Sequence, residues 1–455
     1  MPGPLAWFVR LNPFQTPGAQ RLALLFGIVY FAQGMWYLPK QTITVVLKDR
    51  GLSAGQVADF FLIATVPWLI KPLYGLVSDF LPLAGYRRKS YFLLTSALAA
   101  GAGFTLAATG LVRTGGLTTL SLTVPGWGPV PLTLVEGVGL FTVMAVGLAF
   151  TDVLTDAMMV ETGRPLGLTG AFQSVQWACV TVAAVGVGLV GGQLAAGRRL
   201  EAAFALAACF PLVTMVLATV FLHERRARAD LATFRATLGA IRGALRAPDA
   251  WVVAGFIFFW TFSPSFGPAF LFYQTDTLGF TQEFIGVLDA LTAAANVAGA
   301  LVYAPLSRVV RLKWSIVGSI GAGAAATLLF LAYHGPASAV GIHLVFGVVG
   351  MVAQLAFLDL AAKSCPGRVE ATFFALFTGV FNAGSQLSEN VGARLYDRLG
   401  FAPLVAISAG MTALAAALVP LVRIDRIEAA ARAGGVERGA AGVGRDPTPG
   451  APRSR

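Results

Sequence analysis

Two aspartates stand one helical turn apart in the otherwise apolar stretch "TDVLTDAMMVE". Asp152 and Asp156 would share one face of a helix, and two carboxylates at that spacing repel each other unless one holds a proton or has a cationic partner. Such a pair could carry a proton, or it could accept hydrogen bonds from an amino-heterocycle. The structural alternative is a salt bridge to Lys71 or Arg164.

Lys71 stands inside a second apolar stretch, "PWLIKPLYGLVSDF", between two prolines. A charge at the centre of a membrane helix costs about 2.5–3.5 kcal/mol, so it usually faces a cavity or a partner. Trp68 shares its helical face, and Pro72 removes a backbone hydrogen bond, which predicts a kink beside the lysine. We expect Lys71 either to meet a substrate or coupling ion, or to pair with an internal aspartate.

Polar and aromatic side chains recur at helical spacing in three further apolar stretches. Gln33, Trp36 and Lys40 would form one stripe, suited to an anionic group beside a flat ring, unless Lys40 only extends to the nearer surface. The "FFWTFSPSFGPAFLFY" stretch predicts a broken helix because prolines and glycines interrupt it, although its aromatic residues could equally pack in a core. The remaining candidates for substrate contact are Gln173, Trp177, Trp260 and Ser263.

The loop after the Lys71 helix, "GLVSDFLPLAGYRRK", offers an ion-pair latch. Asp79 at the helix end could pair with Arg87 or Arg88, and the pair could favour one state of a moving protein over another. We predict a gating role for these three residues, rather than direct contact with a substrate.

Membrane helices would have to position these residues. The chain is 56% hydrophobic and only 12% charged, with a mean hydropathy of +0.73, whereas soluble domains are roughly 25% charged. A membrane-spanning helix needs about 20 apolar residues. Breaks at Gly, Pro and charged clusters predict twelve such segments, at residues 22–47, 53–80, 90–112, 131–160, 168–196, 200–222, 250–275, 281–307, 313–333, 337–363, 369–393 and 399–422.

Two halves of six helices follow from this division. The predicted units are an N-terminal segment 1–21, a half 22–222, a basic amphipathic linker 223–249, a half 250–423 and a disordered tail 424–455. "DRGLSAGQV" after the first helix corresponds to "DTLGFTQEF" after the seventh, which indicates an internal repeat. We predict an all-α integral membrane protein with two pseudo-symmetric halves, the layout of a major facilitator transporter.

The distribution of charge predicts the orientation and excludes other protein classes. With both termini on the cytoplasmic side of the cell (inner) membrane, most of the 33 lysines and arginines lie on that side, as the positive-inside rule requires. The net charge of +11 therefore indicates topology, and nucleic acid is not an expected partner. The three cysteines and three histidines form no metal, disulfide or catalytic pattern. We expect a monomer in the lipid bilayer, with no cofactor and no enzymatic activity.

Four sequence blocks resemble the folate–biopterin transporter family of the major facilitator superfamily. They are "PWLIKPLYGLVSDFLPLAGYRRKSY", "DVLTDAMMVE" with "FQSVQW", "SPSFGPAFLFYQTDTLGF", and "CPGRVEATFFALFTGVFNAGSQLSENVGARLYDRLG". The resemblance implies a twelve-helix carrier of folates or reduced pterins. The functional positions that it implies are Lys71, Asp79, Arg87, Arg88, Asp152, Asp156 and Glu370. The first helix, "GMWYLPKQTITVV", is more polar than the family pattern, with Lys40 unexpected.

Two other carriers remain open as alternatives. A muropeptide-permease-like protein would have a similar second helix and following loop, although the blocks in helices four, five and eleven favour the folate–biopterin family. A proton-coupled exporter of another small solute would use Asp152 or Asp156 as its proton site.

Overall fold

The computed structural model describes residues 13–124, 128–166, 168–222, 224, 226–228, 231–365 and 370–429. These residues are almost entirely helical, and within them ten helices are long and apolar enough to cross a membrane. The N-terminal half contains α1 Pro17–Asp49, α2 Ala54–Phe80, α3 Lys89–Thr109, α4 Val138–Leu166, α5 Thr169–Ala196 and α6 Leu200–Phe221. The C-terminal half contains α7a Pro248–Thr261, α7b Gly267–Asp276, α8 Gln282–Val309, α9 Leu312–Leu328, α10 Pro336–Lys363, α11 Glu370–Leu399 and α12 Phe401–Leu418.

The broken α7 and the more polar α11 occupy the two remaining predicted positions. The sum of twelve crossing helices stays a prediction, because length and hydropathy identify ten of them among the described residues. The predicted break of the seventh helix is present, since residues 262–266 separate α7a from α7b.

The two halves meet through α2 with α11 and through α5 with α8. These pairs correspond to each other when α1–α6 are matched in order with α7–α12, as expected for an internal repeat. Small residues allow the α5–α8 contact: a Cβ on Gly188 would lie 2.6 Å from the Gly286 carbonyl oxygen, and one on Gly192 would lie 2.9 Å from that of Gln282. Gly188 and Gly192 therefore serve close helix packing.

A two-stranded β-hairpin stands between α3 and α4, where the sequence pattern predicts helix from residue 131. Strands β1 Leu117–Val124 and β2 Gly128–Val135 pair in an antiparallel register. The stretch "LTTLSLTV" has the β-branched content that favours a strand over a helix. The start of α4 at Val138 therefore corrects the predicted boundary. The hairpin marks one end of the molecule, called here the hairpin end.

The opposite end, called here the linker end, carries the connection between the halves. The linker helix Leu231–Leu245 presents Phe234 to Phe80 of α2, with ring centroids 5.4 Å apart. Ile241 and Leu245 of the same helix pack against the core of the C-terminal half. The linker helix thus contacts both halves.

The C-terminal end of the described chain differs from the predicted disordered tail. Residues 424–429 are helical, and Ile424 and Ile427 pack against the core of the C-terminal half. The tail from residue 430 to 455 lies outside the described residues, as do residues 1–12.

Local breaks shape the two helices that carry the polar residues of interest. In α1 a 3-10 turn, Met35–Tyr37, separates two α-helical stretches. In α2 the helix is interrupted at Ile70, directly before Lys71 and Pro72. The predicted kink at Pro72 is therefore present, and its physical cause is the missing backbone donor of proline.

Candidate functional site

Asp152 on α4 is the centre of a polar cluster within the N-terminal half. The Lys71 Nζ atom donates to Asp152 Oδ2 in a short ion pair. Gln33 donates its amide to Asp152 Oδ1 at 2.7 Å in the orientation that satisfies both partners. Lys71 also lies over the Trp68 ring, 4.8 Å from its centroid, a distance at which a cation is attracted by the aromatic face. The structure therefore brings four of the predicted residues together.

Asp156 lies one helical turn from Asp152 and has a different partner. The Tyr30 hydroxyl of α1 donates a short hydrogen bond to Asp156 Oδ1. Lys71 has both aspartates as electrostatic neighbours, so one lysine balances two carboxylates. Tyr30 was not among the predicted site residues, although it shares a helical face with Gln33 three residues on.

A second polar group joins the two halves. Lys40 Nζ of α1 lies 3.7 Å from Glu389 Oε2 of α11. Tyr37, whose residue surface is 54% exposed, has Lys40, Lys71, Glu389 and Asp152 as electrostatic neighbours. An exposed tyrosine surrounded by charges from both halves lines a water-accessible space between them, because lipid would not solvate those charges.

Asp289 of α8 is a further carboxylate near the space between the halves. Its side chain is exposed, and Lys40 is its electrostatic neighbour. Glu389, the partner of Lys40, is the other carboxylate that the C-terminal half contributes here. The sequence carries the relevant signal for both residues, since each is an acidic residue inside an apolar helix.

Trp36 departs from the predicted stripe of Gln33, Trp36 and Lys40. Trp36 is buried and stacks on Phe141 within the N-terminal core, with ring centroids 4.2 Å apart. A 3-10 turn has about 3.0 residues per turn rather than 3.6, so the turn at Met35–Tyr37 changes the direction of the side chains that follow it. Lys40 consequently shares its surroundings with Tyr37 instead.

Trp260 and Ser263 lie away from the Asp152 cluster. Trp260 is partly buried against the core of the C-terminal half. Ser263 donates to the Ser408 carbonyl oxygen at 2.6 Å and accepts from Thr412 at 2.8 Å, which ties the break in α7 to α12. Both residues therefore have contacts within the C-terminal half, and their assignment as substrate contacts stays a prediction.

Gln173 and Trp177 lie on α5 toward the linker end, and both side chains are exposed. Trp177 stands about three helical turns before Gly188, so it lies on the same face that contacts α8. Trp177 itself is 41% exposed. Trp177 is therefore in a position to line the space between the halves.

The predicted latch at the linker end forms within the N-terminal half. Arg88 is buried and donates to Asp79 at 2.6 Å, to Glu161 of α4 at 2.6 Å and to Ser78 at 2.7 Å. Arg87 Nη2 lies farther from Asp79, at 3.7 Å. The cluster ties α2 and α4 to the start of α3. The side chain of Glu370 lies outside the described residues.

At the linker end, a carboxylate also caps α3. Glu224 accepts hydrogen bonds from the backbone N–H groups of Arg87, Arg88 and Lys89, at 2.9–3.2 Å. A carboxylate at this position satisfies free donors and the positive end of the helix dipole. The start of the linker is thereby fixed to the N-terminal half.

The hairpin end carries inter-half contacts between residues that the sequence pattern did not single out. Asp59 of α2, only 1% exposed, accepts from Arg394 at 2.5 Å and Asn390 at 2.8 Å, both on α11. It also accepts the backbone N–H of Thr133 in β2 at 2.8 Å, while Arg394 donates to the Pro131 carbonyl. One buried carboxylate therefore joins both halves and the hairpin.

Further polar contacts surround the Asp59 cluster. Asp397 of α11 accepts from the backbone N–H of Gly55 at 2.8 Å and from the Ser53 hydroxyl at 2.7 Å, at the N-terminus of α2. Lys48 of α1 pairs closely with Asp276 of α7b. Together with the bonds of Asp59 to α11, these interactions are called here the hairpin-end contacts.

Known proteins with similar sequences are transporters. The sequence profile of the BT1 family matches residues 33–408. A folate-biopterin transporter of Synechocystis is 31% identical over 414 residues, which cover 87% of this chain and 79% of that protein. A probable folate-biopterin transporter of Arabidopsis thaliana is 23% identical and covers 83% of this chain and 88% of the relative.

Solved structures with the same fold are also transporters. A point mutant of the nucleoside transporter NupG has a TM-score of 0.65 at 14% identity, over 88% of this chain and 100% of that one. A D-xylose-proton symporter has a TM-score of 0.62 at 13% identity, over 88% and 95%. At these identities the likeness shows the fold alone.

Proposed function

The chain belongs to the BT1 family, and from that premise we propose that it carries folates or pterins across the membrane by alternating exposure of a central site. The family and the fold make the protein a membrane transporter rather than an enzyme. The observation that carries the choice of substrate is the cluster of Asp152, Lys71 and Trp68, a carboxylate, a cation and a flat ring inside membrane helices.

The chemistry of a pterin fits this cluster. A pterin offers its 2-amino group and the adjacent ring N–H as paired donors, which one carboxylate accepts with both oxygens. Asp152 is the carboxylate for this role, and Lys71 is the residue that must release it when the ring binds. Trp68 supplies an aromatic face for the pterin ring. Trp177 is placed to contribute a second ring from α5.

Asp156 is the proposed proton site. One lysine balances two carboxylates in this cluster, so the second carboxylate is the one that gains most from a proton. Tyr30 donates to Asp156 and is placed to orient it. Proton uptake at Asp156 would leave Lys71 and Asp152 as a neutral pair, which lowers the cost of moving the cluster through a low-dielectric state.

The proposed location is the cell membrane, with both termini and the linker in the cytoplasm and the chain acting as a monomer. The positive-inside rule supports this orientation, because most of the 33 arginines and lysines belong to segments that the sequence predicts to be cytoplasmic. Alternating access then exposes the space between the halves to the cytoplasm when the hairpin end is closed.

Uptake into proteoliposomes tests the proposal. Labelled folate and labelled biopterin would be offered to the purified protein, with and without an inward proton gradient. We expect saturable uptake that Lys71→Ala abolishes and that Lys313→Ala, a lysine at the protein surface, leaves unchanged. Asp156→Asn should retain exchange of internal for external substrate and lose gradient-driven accumulation. Absence of uptake of either compound by folded protein would refute the assignment.

A further inference from the structure

The ion pair between Lys40 and Glu389 is loose and accessible. Its N–O distance of 3.7 Å exceeds that of a hydrogen bond. The Glu389 Oε2 atom is buried and has no hydrogen-bond partner among the described residues, whereas the Lys40 side chain is 43% exposed. The lysine therefore retains donors that a better-placed carboxylate could use.

Glu389 is held in position by the break in α7. The Ser265 N–H donates to the Ser388 carbonyl oxygen at 3.2 Å, and the Ser388 hydroxyl donates to the Ser263 carbonyl oxygen. Gly267 has a φ of +44°, and a Cβ there would lie 2.9 Å from the Cβ of Glu389. The carboxylate thus belongs to a tightly packed wall.

Lys40 is the more accessible of the two lysines in this region, with 43% of its side chain exposed against 16% for Lys71. Lys71 is engaged by a short ion pair with Asp152 and is more enclosed than Lys40. Around Lys40 lie Glu389, Asp289 and the Tyr37 hydroxyl as electrostatic neighbours, with the Phe61 ring 5.7 Å away. An incoming anion must therefore compete with carboxylates of the protein for one lysine.

We propose that Glu389 is a built-in competitor for the anionic group of the substrate at Lys40, and that this pair sets the preference between carboxylate-bearing and neutral substrates. The inference rests on the proposed function and specifies its substrate class. A tail carboxylate of a folate replaces Glu389 beside Lys40, whereas a pterin without a tail leaves the pair intact.

Replacement of Glu389 by a substrate carboxylate beside Lys40 also weakens the contact between the halves. Lys40 belongs to α1 of the N-terminal half and Glu389 to α11 of the C-terminal half. When a substrate carboxylate takes Lys40, one attraction between the halves is replaced by an attraction between substrate and a single half. Anionic substrates thereby loosen this contact, and neutral ones do not.

The test compares folate with biopterin in proteoliposomes that hold the wild-type protein, Glu389→Gln or Lys40→Gln. Glu389→Gln removes one charge at nearly constant shape, and Lys40→Gln removes the cation with a side chain one atom shorter. We expect Glu389→Gln to lower the half-saturation concentration for folate by about tenfold, the size of a 1.4 kcal/mol change, with biopterin within about twofold of wild type. Lys40→Gln should raise the folate value by about tenfold and spare biopterin. Glu201→Gln, which breaks an exposed pair with Arg113 inside one half, is the matched control.

The outcomes separate this inference from the proposed function. Suppose that the wild type takes up both compounds and that neither variant changes the ratio of the half-saturation concentrations for folate and biopterin. That result would overturn the inference and leave the proposed function standing. Equal loss of both substrates in Lys40→Gln would overturn it too, because Lys40 would then not discriminate the tail. Uptake of neither compound by the wild type would refute the function itself. If Glu389→Gln does not fold, the inference is tested by the ratio of the half-saturation concentrations for folate and biopterin in Lys40→Gln.

Discussion

The two ends of the transporter use charge differently. At the hairpin end, Asp59, Asp397 and Lys48 each reach a partner in the other half. At the linker end, the ion pairs formed by the described residues join members of a single half, as Arg88 does with Asp79 and Glu161. The linker helix adds an apolar contact to each half there.

This difference indicates that the hairpin end is closed in this structure. The hairpin-end contacts join the halves and hold that end closed, whereas contacts inside a half keep that half rigid and do not resist separation. The hairpin end therefore has to lose polar contacts before it opens. The cluster around Arg88 can remain intact throughout, so it strengthens the N-terminal half as a rigid body.

The largest effect on closure is expected from Asp59→Ala. Removing one partner of a buried ion pair costs about 3–5 kcal/mol, and every 1.4 kcal/mol is about tenfold in an equilibrium. The ratio of closed to open hairpin ends should fall by about a hundredfold or more. Spin labels at Leu117 and Leu399, both about half exposed, would report a longer distance across the hairpin end in a cysteine-substituted background.

Asp49→Ala is the matched control for that experiment. Asp49 lies at the same end and pairs with Arg198 at 2.5 Å, but both residues are exposed and belong to the N-terminal half. Its removal should leave the label distance unchanged. Equal distances in wild type and Asp59→Ala would show that the buried cluster does not hold the end closed.

A smaller effect is expected from Thr133→Pro, which tests the contribution of the hairpin. Proline removes the N–H that Thr133 donates to Asp59, and a hydrogen bond to a charged group contributes about 1.5–3 kcal/mol. The label distance should shift partway toward that of Asp59→Ala. Thr119→Pro on the paired strand is the control, because its N–H also points away from the β1–β2 ladder. A shift of the same size in both variants would contradict a specific role for Thr133.

No effect on closure is expected from Arg88→Gln, although the change is severe. The variant leaves Asp79 and Glu161 facing each other without the cation that joins them. The melting temperature of the purified protein should therefore fall, with the hairpin-end distance unchanged. An increase in that distance would show that the linker-end cluster does couple the halves.

Structural features that depend on residues adjacent in the sequence, such as helix breaks, were predictable from the sequence. The interruption of α2 beside Lys71 follows from Pro72, and the broken α7 follows from its prolines and glycines. The pairing of Lys71 with Asp152 was one of the stated alternatives, because a lysine inside a membrane helix needs a partner or a cavity.

The sequence-based predictions fail where a side chain's direction depends on a local change in helix geometry, or where its partner is distant in sequence. The 3-10 turn in α1 directs Trp36 into the core, whereas a prediction from helical spacing alone assumes about 3.6 residues per turn throughout. The sequence pattern did not single out Asp59, since its partner Asn390 stands 331 positions later. An aspartate inside "ADFFLIATVPWLI" was nevertheless a signal that could have been used.

The sequence by itself determined the apolar character of the helices, the breaks in α2 and α7 and the need of each buried charge for a partner, because hydropathy and backbone geometry act over a few residues. Only the tertiary structure decided which carboxylate meets which cation. Lys40 meets Glu389 and Asp59 meets Arg394 across the boundary between the halves, while Arg88 meets Asp79 and Glu161 within one. A charge accepts any opposite charge at contact distance, so the packing of the helices makes that choice.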